Sequence, residues 1–87
     1  MKIEIFGPGC ARCKQTERIV NEAISALGIK AEVIKIEDVR QYAQRGVTFT
    51  PAVALNGTIQ CSGRIPKLEE VKDWLLKAQE VNAQQQG

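Results

Sequence analysis

Two cysteines separated by two residues, where a strand pattern gives way to a helical one, constrain this chain more than any other feature. They lie in the stretch Phe6-Gly7-Pro8-Gly9-Cys10-Ala11-Arg12-Cys13-Lys14. Ahead of them Lys2 to Phe6 alternates and is rich in Ile and Phe, which predicts a first strand. Ile3 and Ile5 then face one side, Glu4 and Phe6 the other. Behind them Thr16, Val20, Ala23, Ile24 and Leu27 recur at spacings of three and four. That stripe predicts a helix from about Cys10 to Leu27, stopped by Gly28.

The junction has its own chemistry. A helix N-terminus carries unpaired backbone N–H groups and a positive dipole end. A thiolate placed there is favoured over the thiol, so its pKa falls below the free value of about 8.5. Arg12 and Lys14 add positive charge beside it. Cys10, at the N-cap or in the first turn, is therefore expected to face solvent and attack a disulfide. Cys13, one turn further on the same face, is expected to resolve the mixed disulfide. Gly7 and Gly9 permit close approach that side chains would block, and Pro8 stiffens the loop between them.

A metal is the competing use of two such thiols. Structural zinc needs four nitrogen or sulfur ligands. The chain has no histidine and only one further cysteine, Cys61, so zinc held by one chain is disfavoured. Copper(I), which soft thiolates select, stays open. The alternative function is therefore a thiol-based metal-binding or metal-resistance domain that uses Cys10 and Cys13, with Cys61 as a third thiol.

At 87 residues the chain holds one domain. A formal net charge of +2, spread along the sequence, argues for neither nucleic acid nor a membrane surface as partner. No apolar run approaches the roughly 20 residues of a membrane span. The sequence enters its first strand with no signal-peptide pattern, so a cytoplasmic setting is expected. There structural disulfides are rare, and a Cys-x-x-Cys is usually catalytic or metal-binding.

The remaining elements follow in order. Ala31 to Ile36 predicts strand two, joined to strand one by a parallel crossover. Asp38 is a candidate N-cap for a short helix through about Arg45, with Val39, Tyr42 and Ala43 inward. Ala52 to Leu55 and Thr58 to Ser62 predict a hairpin about the Asn56-Gly57 turn. A regular two-residue hairpin would set Cys61 opposite Ala52, beside Pro51. A last helix is expected from about Lys67 to about Val81, with Leu68, Val71, Trp74, Leu75 and Ala78 inward. Residues 1–82 form the expected domain and 83–87 a disordered polar tail. The order β-α-β-α-β-β-α predicts an α/β domain with a four-stranded mixed sheet and helices on both faces. The ferredoxin-like metal-chaperone order, β-α-β-β-α-β, needs a final strand, and here a helix comes last.

With the element order, Cys10-Ala11-Arg12-Cys13 after strand one, and Thr50-Pro51 before strand three, the chain resembles the thioredoxin/glutaredoxin superfamily. The opening Lys2 to Cys13 is most similar to the small archaeal and bacterial thioredoxin-like group called redox-active disulfide proteins. The resemblance extends to about Ala78. It implies a thioredoxin-like fold and a protein-disulfide oxidoreductase that needs no cofactor and no metal. Its partners would be a disulfide-containing protein substrate and a thioredoxin-reductase-like electron donor, and the protein would be a monomer.

The resemblance also implies roles for residues outside the cysteine pair. Pro51 matches the cis proline beside the active site, Thr50 the residue whose backbone pairs with an extended substrate, and Gly63 the glycine that keeps the groove open; the alternatives are a trans proline opening an edge strand and a plain strand terminator. Glu4, six residues before Cys10, matches a buried acid. A charge on a covered central strand is costly unless paired. Glu4 is thus expected either to take the proton of Cys13 during exchange, or else to bend to solvent or pair with a surface Lys or Arg. Cys61 is either a buried hydrophobe or a third thiol at the site edge. The motif is neither Cys-Gly-Pro-Cys nor Cys-Pro-Tyr-Cys, and Gly9 stands where thioredoxins carry tryptophan. Arg64 and Lys67 replace the acidic pair by which glutaredoxins hold the glutathione amine, so a protein disulfide is expected as substrate rather than glutathione.

Overall fold

The alternating apolar residues of the strands and the apolar stripes of the helices meet as one sheet with helices on both sides. In the computed structural model residues 1–86 are described, their side chains as far as Gln79. The elements are β1 (Lys2–Phe6), α1 (Ala11–Leu27), β2 (Glu32–Ile36), α2 (Val39–Gln44), β3 (Ala52–Leu55), β4 (Thr58–Ser62) and α3 (Leu68–Gln86). The sheet order is β2-β1-β3-β4. β1 runs parallel to β2 and antiparallel to β3, and β3 is antiparallel to β4. This is the four-stranded mixed sheet of a thioredoxin-like α/β fold.

The two faces of β1 feed two cores. Ile3 and Ile5 join Val20 and Ala23 of α1 and Val71 and Leu75 of α3. Phe6 joins Tyr42 of α2, with Ile36, Val47, Ala52 and Ala54. β1 is therefore covered on both sides, and every residue from Ile3 to Phe6 is buried. A parallel strand needs that double cover, because its crossover helix must pack back on the sheet.

Local signals set most of the boundaries. Gly28 closes α1 in the left-handed conformation, its N–H donating to the carbonyls of Ile24 and Ser25. Asn56 and Gly57 both take positive φ, as a type I′ turn requires. The Asp38 carboxylate accepts from the Arg40 N–H and caps α2. At α3, Glu70 reaches back to accept from the Lys67 N–H at 3.0 Å, half of a capping box. That N–H and the Arg64 guanidinium hold the Glu70 carboxyl down at about 2, with Arg64 the larger cause.

Three expectations need correction. α2 was expected to turn Val39, Tyr42 and Ala43 inward, but Val39 is 66% exposed and Ala43 is exposed as well. The helix has six residues, less than two turns, so one side chain supplies its whole buried side. In the hairpin, Leu55 faces Thr58 and Ala54 faces Ile59, as a regular turn demands. A bulge then puts Cys61 opposite Val53, and Ser62, not Cys61, opposite Ala52. The extra residue is Gln60. Finally, α3 continues to Gln86, past the expected end near Val81. The side chains of the expected tail, 83–87, lie outside the described residues, as does Gly87 altogether.

Candidate active site

The strand-to-helix junction resolves into a short loop, Gly7 to Gly9, with Cys10 as the N-cap of α1. Parallel pairing anchors the loop at its start: the Gly7 N–H donates to the Ile36 carbonyl at 3.0 Å. Cys10 is exposed and Cys13 is buried, and both are free thiols. Their sulfurs lie 3.0 Å apart. Gly7 makes room for the inner one. A Cβ at that position would overlap the Cys13 Sγ and meet its Cβ at 3.1 Å. Gly9, with φ +87°, takes a turn that only glycine adopts readily.

The two thiols differ in acidity. Cys10 is held below the ordinary thiol value, first by the hydrogen bond from Cys13 and then by backbone N–H groups at the helix start. Cys13 is pushed above it by burial, and next by its bond to Cys10. Thiolate character therefore collects on the exposed sulfur. Arg12 contributes to this through its backbone N–H. Its side chain is turned elsewhere and donates to the Gly63 carbonyl at 3.3 Å.

That contact brings the second part of the site to the first. Gly63 in turn donates its N–H to the Pro51 carbonyl at 2.9 Å. The Thr50–Pro51 peptide bond is cis, and Pro51 is fully buried. Gly63 has φ +80°, and a Cβ there would press on the Phe49 side chain at 3.0 Å. Phe49 itself is 66% exposed. So the hydrogen bonds run from the cysteine motif through Arg12 to Gly63 and Pro51, three segments far apart in sequence.

Glu4 sits on the Phe6 face of β1, across the sheet from Ile3, Ile5 and α1. It is 5% exposed. Arg45, just after α2, closes on it in a bidentate pair, with Nη1 donating to Oε2 at 2.6 Å and Nη2 donating to Oε1. The same guanidinium lies 5.5 Å from the centre of the Phe6 ring. The Arg45 hydrogen bond is the main reason the Glu4 carboxyl is held below its ordinary value of 4.5. Of the two expectations for Glu4, the ion pair is the one present here.

This predicts an acid-sensitive fold. A carboxyl depressed in the folded state contributes stability that is complete above its unfolded value and is lost as pH falls through the folded one. Glu4→Gln is expected to cost about 1–3 kcal/mol at neutral pH and to remove part of the stability lost below pH 4.5. Denaturant melts across the acid range check this; parallel curves for both proteins would contradict it. Disulfide exchange by the same variant at neutral pH is expected to be unchanged. A slowed rate would return the Cys13 proton to Glu4.

Cys61 points into the core formed by Ile3, Val53, Val71 and Leu75. Burial pushes its thiol up. Among the described residues no group of three or more His, Cys, Asp or Glu is placed to hold a metal ion. No described helix is long and apolar enough to cross a membrane.

Sequence reasoning missed three residues here. Arg45 was read only as the end of a helix. Tyr42 was read as core, yet its hydroxyl is buried without a hydrogen-bond partner, and the charges of Cys13 and Cys10 are among those that raise its pKa, after burial. Glu37 was not singled out. The parallel pairing of Phe6 with Ile36 was the available signal, because it sets residue 37 beside Gly7, where the motif loop begins.

A thiolate-prone sulfur at the surface, backed by a protonated one within bonding reach, can accept and pass on two electrons by exchanging partners. That is the chemistry of a thiol–disulfide oxidoreductase. A family model described as a thioredoxin domain matches residues 1–76. The thioredoxin of Methanothermobacter thermautotrophicus is 42% identical over 72 residues, covering 83% of this chain and 94% of that one. The thioredoxin of Methanocaldococcus jannaschii is 45% identical over 73 residues, covering 84% of each. The chain belongs to the thioredoxin family.

Proposed function

We propose that this protein carries electrons from a thioredoxin-reductase-like donor to disulfides of other proteins, as a monomer in the cytoplasm. The Cys10 thiolate attacks a substrate sulfur, and the other substrate sulfur leaves with the electron pair. Cys13 then loses its proton and attacks Cys10. The Cys10–Cys13 disulfide forms and the second substrate thiol is released. In this reading Thr50, Pro51 and Gly63 form the edge against which the substrate chain lies. Glu4 holds Arg45 and steadies the sheet beneath.

The single observation that supports this most is the contrast between the two sulfurs. They are 3.0 Å apart and unbonded, one exposed and acidic, the other buried and not. The reduced protein is expected to reduce a protein disulfide catalytically when dithiothreitol regenerates it. Alkylation of Cys10 should titrate below the free-thiol range. Absence of turnover, with tight stoichiometric binding of copper(I) or zinc, would favour the metal-binding reading instead.

A further inference from the structure

The reaction leaves one proton without a destination. Cys13 must ionise before it can attack, and its sulfur is buried. Glu4 is engaged by Arg45 on the other face of the sheet. A cleft does reach Cys13, however, and it opens on the α1 side. It has a volume of about 90 Å³ and is lined by Ile5, Gly7, Gly9, Cys13, the two lysines Lys14 and Lys35, and the two carboxylates Glu17 and Glu37. That is room for several water molecules.

The two carboxylates are not equivalent. Glu17 is paired with Lys35 at 3.3 Å. Glu37 has no ion-pair or hydrogen-bond partner among the described side chains, and its Oε2 lies over the motif loop, 3.9 Å from where a Cβ on Gly9 would be. The register Phe6↔Ile36 fixes it there. The other charged or titratable groups facing Cys13 are Cys10 at the helix N-cap, bonded to it, Lys14 and Lys35 in the cleft wall, and Tyr42 on α2, which feels its charge. The hydroxyl of Tyr42 is buried and unpartnered.

We propose that Glu37 takes the proton of Cys13 across this cleft, directly or through a bridging water, while Cys13 attacks the mixed disulfide. The Cys13 S–H bond breaks and its proton passes to the Glu37 carboxylate. The Cys13–Cys10 bond forms, the Cys10–substrate bond breaks, and the substrate sulfur departs with the electron pair. Glu37 then returns its proton to solvent. This rests on the exchange mechanism proposed above, so the test must separate the two.

The aromatic disulfide DTNB does so. The reduced protein should release one thionitrobenzoate when Cys10 attacks and a second when Cys13 resolves. In Glu37→Gln the first phase is expected to keep its rate. The second should slow roughly tenfold or more near neutral pH and rejoin the wild type in alkali, where Cys13 ionises unaided. Glu37→Asp should restore part of the rate, and Glu17→Gln should leave it intact. A second phase in Glu37→Gln that matches or exceeds the wild type at every pH overturns the proposal. So does a loss that appears in Glu17→Gln instead. A wild-type protein with no second phase would overturn the exchange mechanism itself.

Discussion

Cys10→Ser is expected to abolish disulfide reduction, while Cys13→Ser is expected to start the reaction and stall on a covalent adduct. The asymmetry follows from where each sulfur sits. Cys10 is the exposed N-cap, and its thiolate is stabilised by the Cys13 hydrogen bond and by the N–H groups of the first turn. Serine there is not ionised near neutral pH and cannot take its place. Cys13 is buried and held protonated, so it offers no nucleophile to an outside disulfide. With Cys13→Ser the first attack still occurs, at a lower thiolate fraction because the principal hydrogen bond to Cys10 has weakened. The mixed disulfide then has no internal partner to release it. Mass spectrometry after incubation with a disulfide substrate should find the adduct on the Cys13→Ser protein and none on Cys10→Ser. Adducts on both variants, at comparable rates, would mean that the sulfurs are interchangeable and that the acidity difference has no consequence.

The second large effect is expected from a single methyl group. Gly7 has no positive φ, so alanine fits its backbone, and nothing in the loop sequence warns against it. The obstacle is Cys13, whose Sγ occupies the space the Cβ would need. Cys13 is fixed by α1, which packs on β1 and α3 through Val20 and Ala23, so the helix start or the loop must shift. Overpacking of this kind costs about 1–3 kcal/mol, roughly a 5–20 °C fall in Tm for a domain of this size. The functional loss should exceed the structural one, because misplacing a reacting atom by about 1 Å can cost roughly a hundredfold in rate. Release of the second thionitrobenzoate should slow sharply in Gly7→Ala while the first persists. A variant with unchanged melting and two normal phases would show that the loop yields freely.

Both predictions use geometry only partly visible in the sequence. The bounds of β1, β3 and β4, the left-handed cap at Gly28 and the Asn56-Gly57 turn agree with the sequence reading because each is set by residues within a few positions of one another. The Cys-x-x-Cys at a helix start is equally local, and its asymmetric thiols follow from the N–H groups of one turn. Cys61 shows where such reasoning ends. Its partner across the hairpin depended on a bulge at Gln60, which no turn rule announces, and that one residue moved it from Ala52 to Val53.

The sequence by itself determined the order of elements, the position of the dithiol at the first helix N-terminus and the family to which the chain belongs. These depend on periodicity and on short motifs, in which neighbouring residues act on one another through a few bonds. Only the tertiary structure decided that Arg45 neutralises Glu4, that Arg12 reaches Gly63 instead of Cys10, and that Glu37 shares a cleft with Cys13. Each joins segments far apart in the chain or on different elements. Such contacts exist only once β1 is covered on both faces and the strand register has fixed which residue lies beside which.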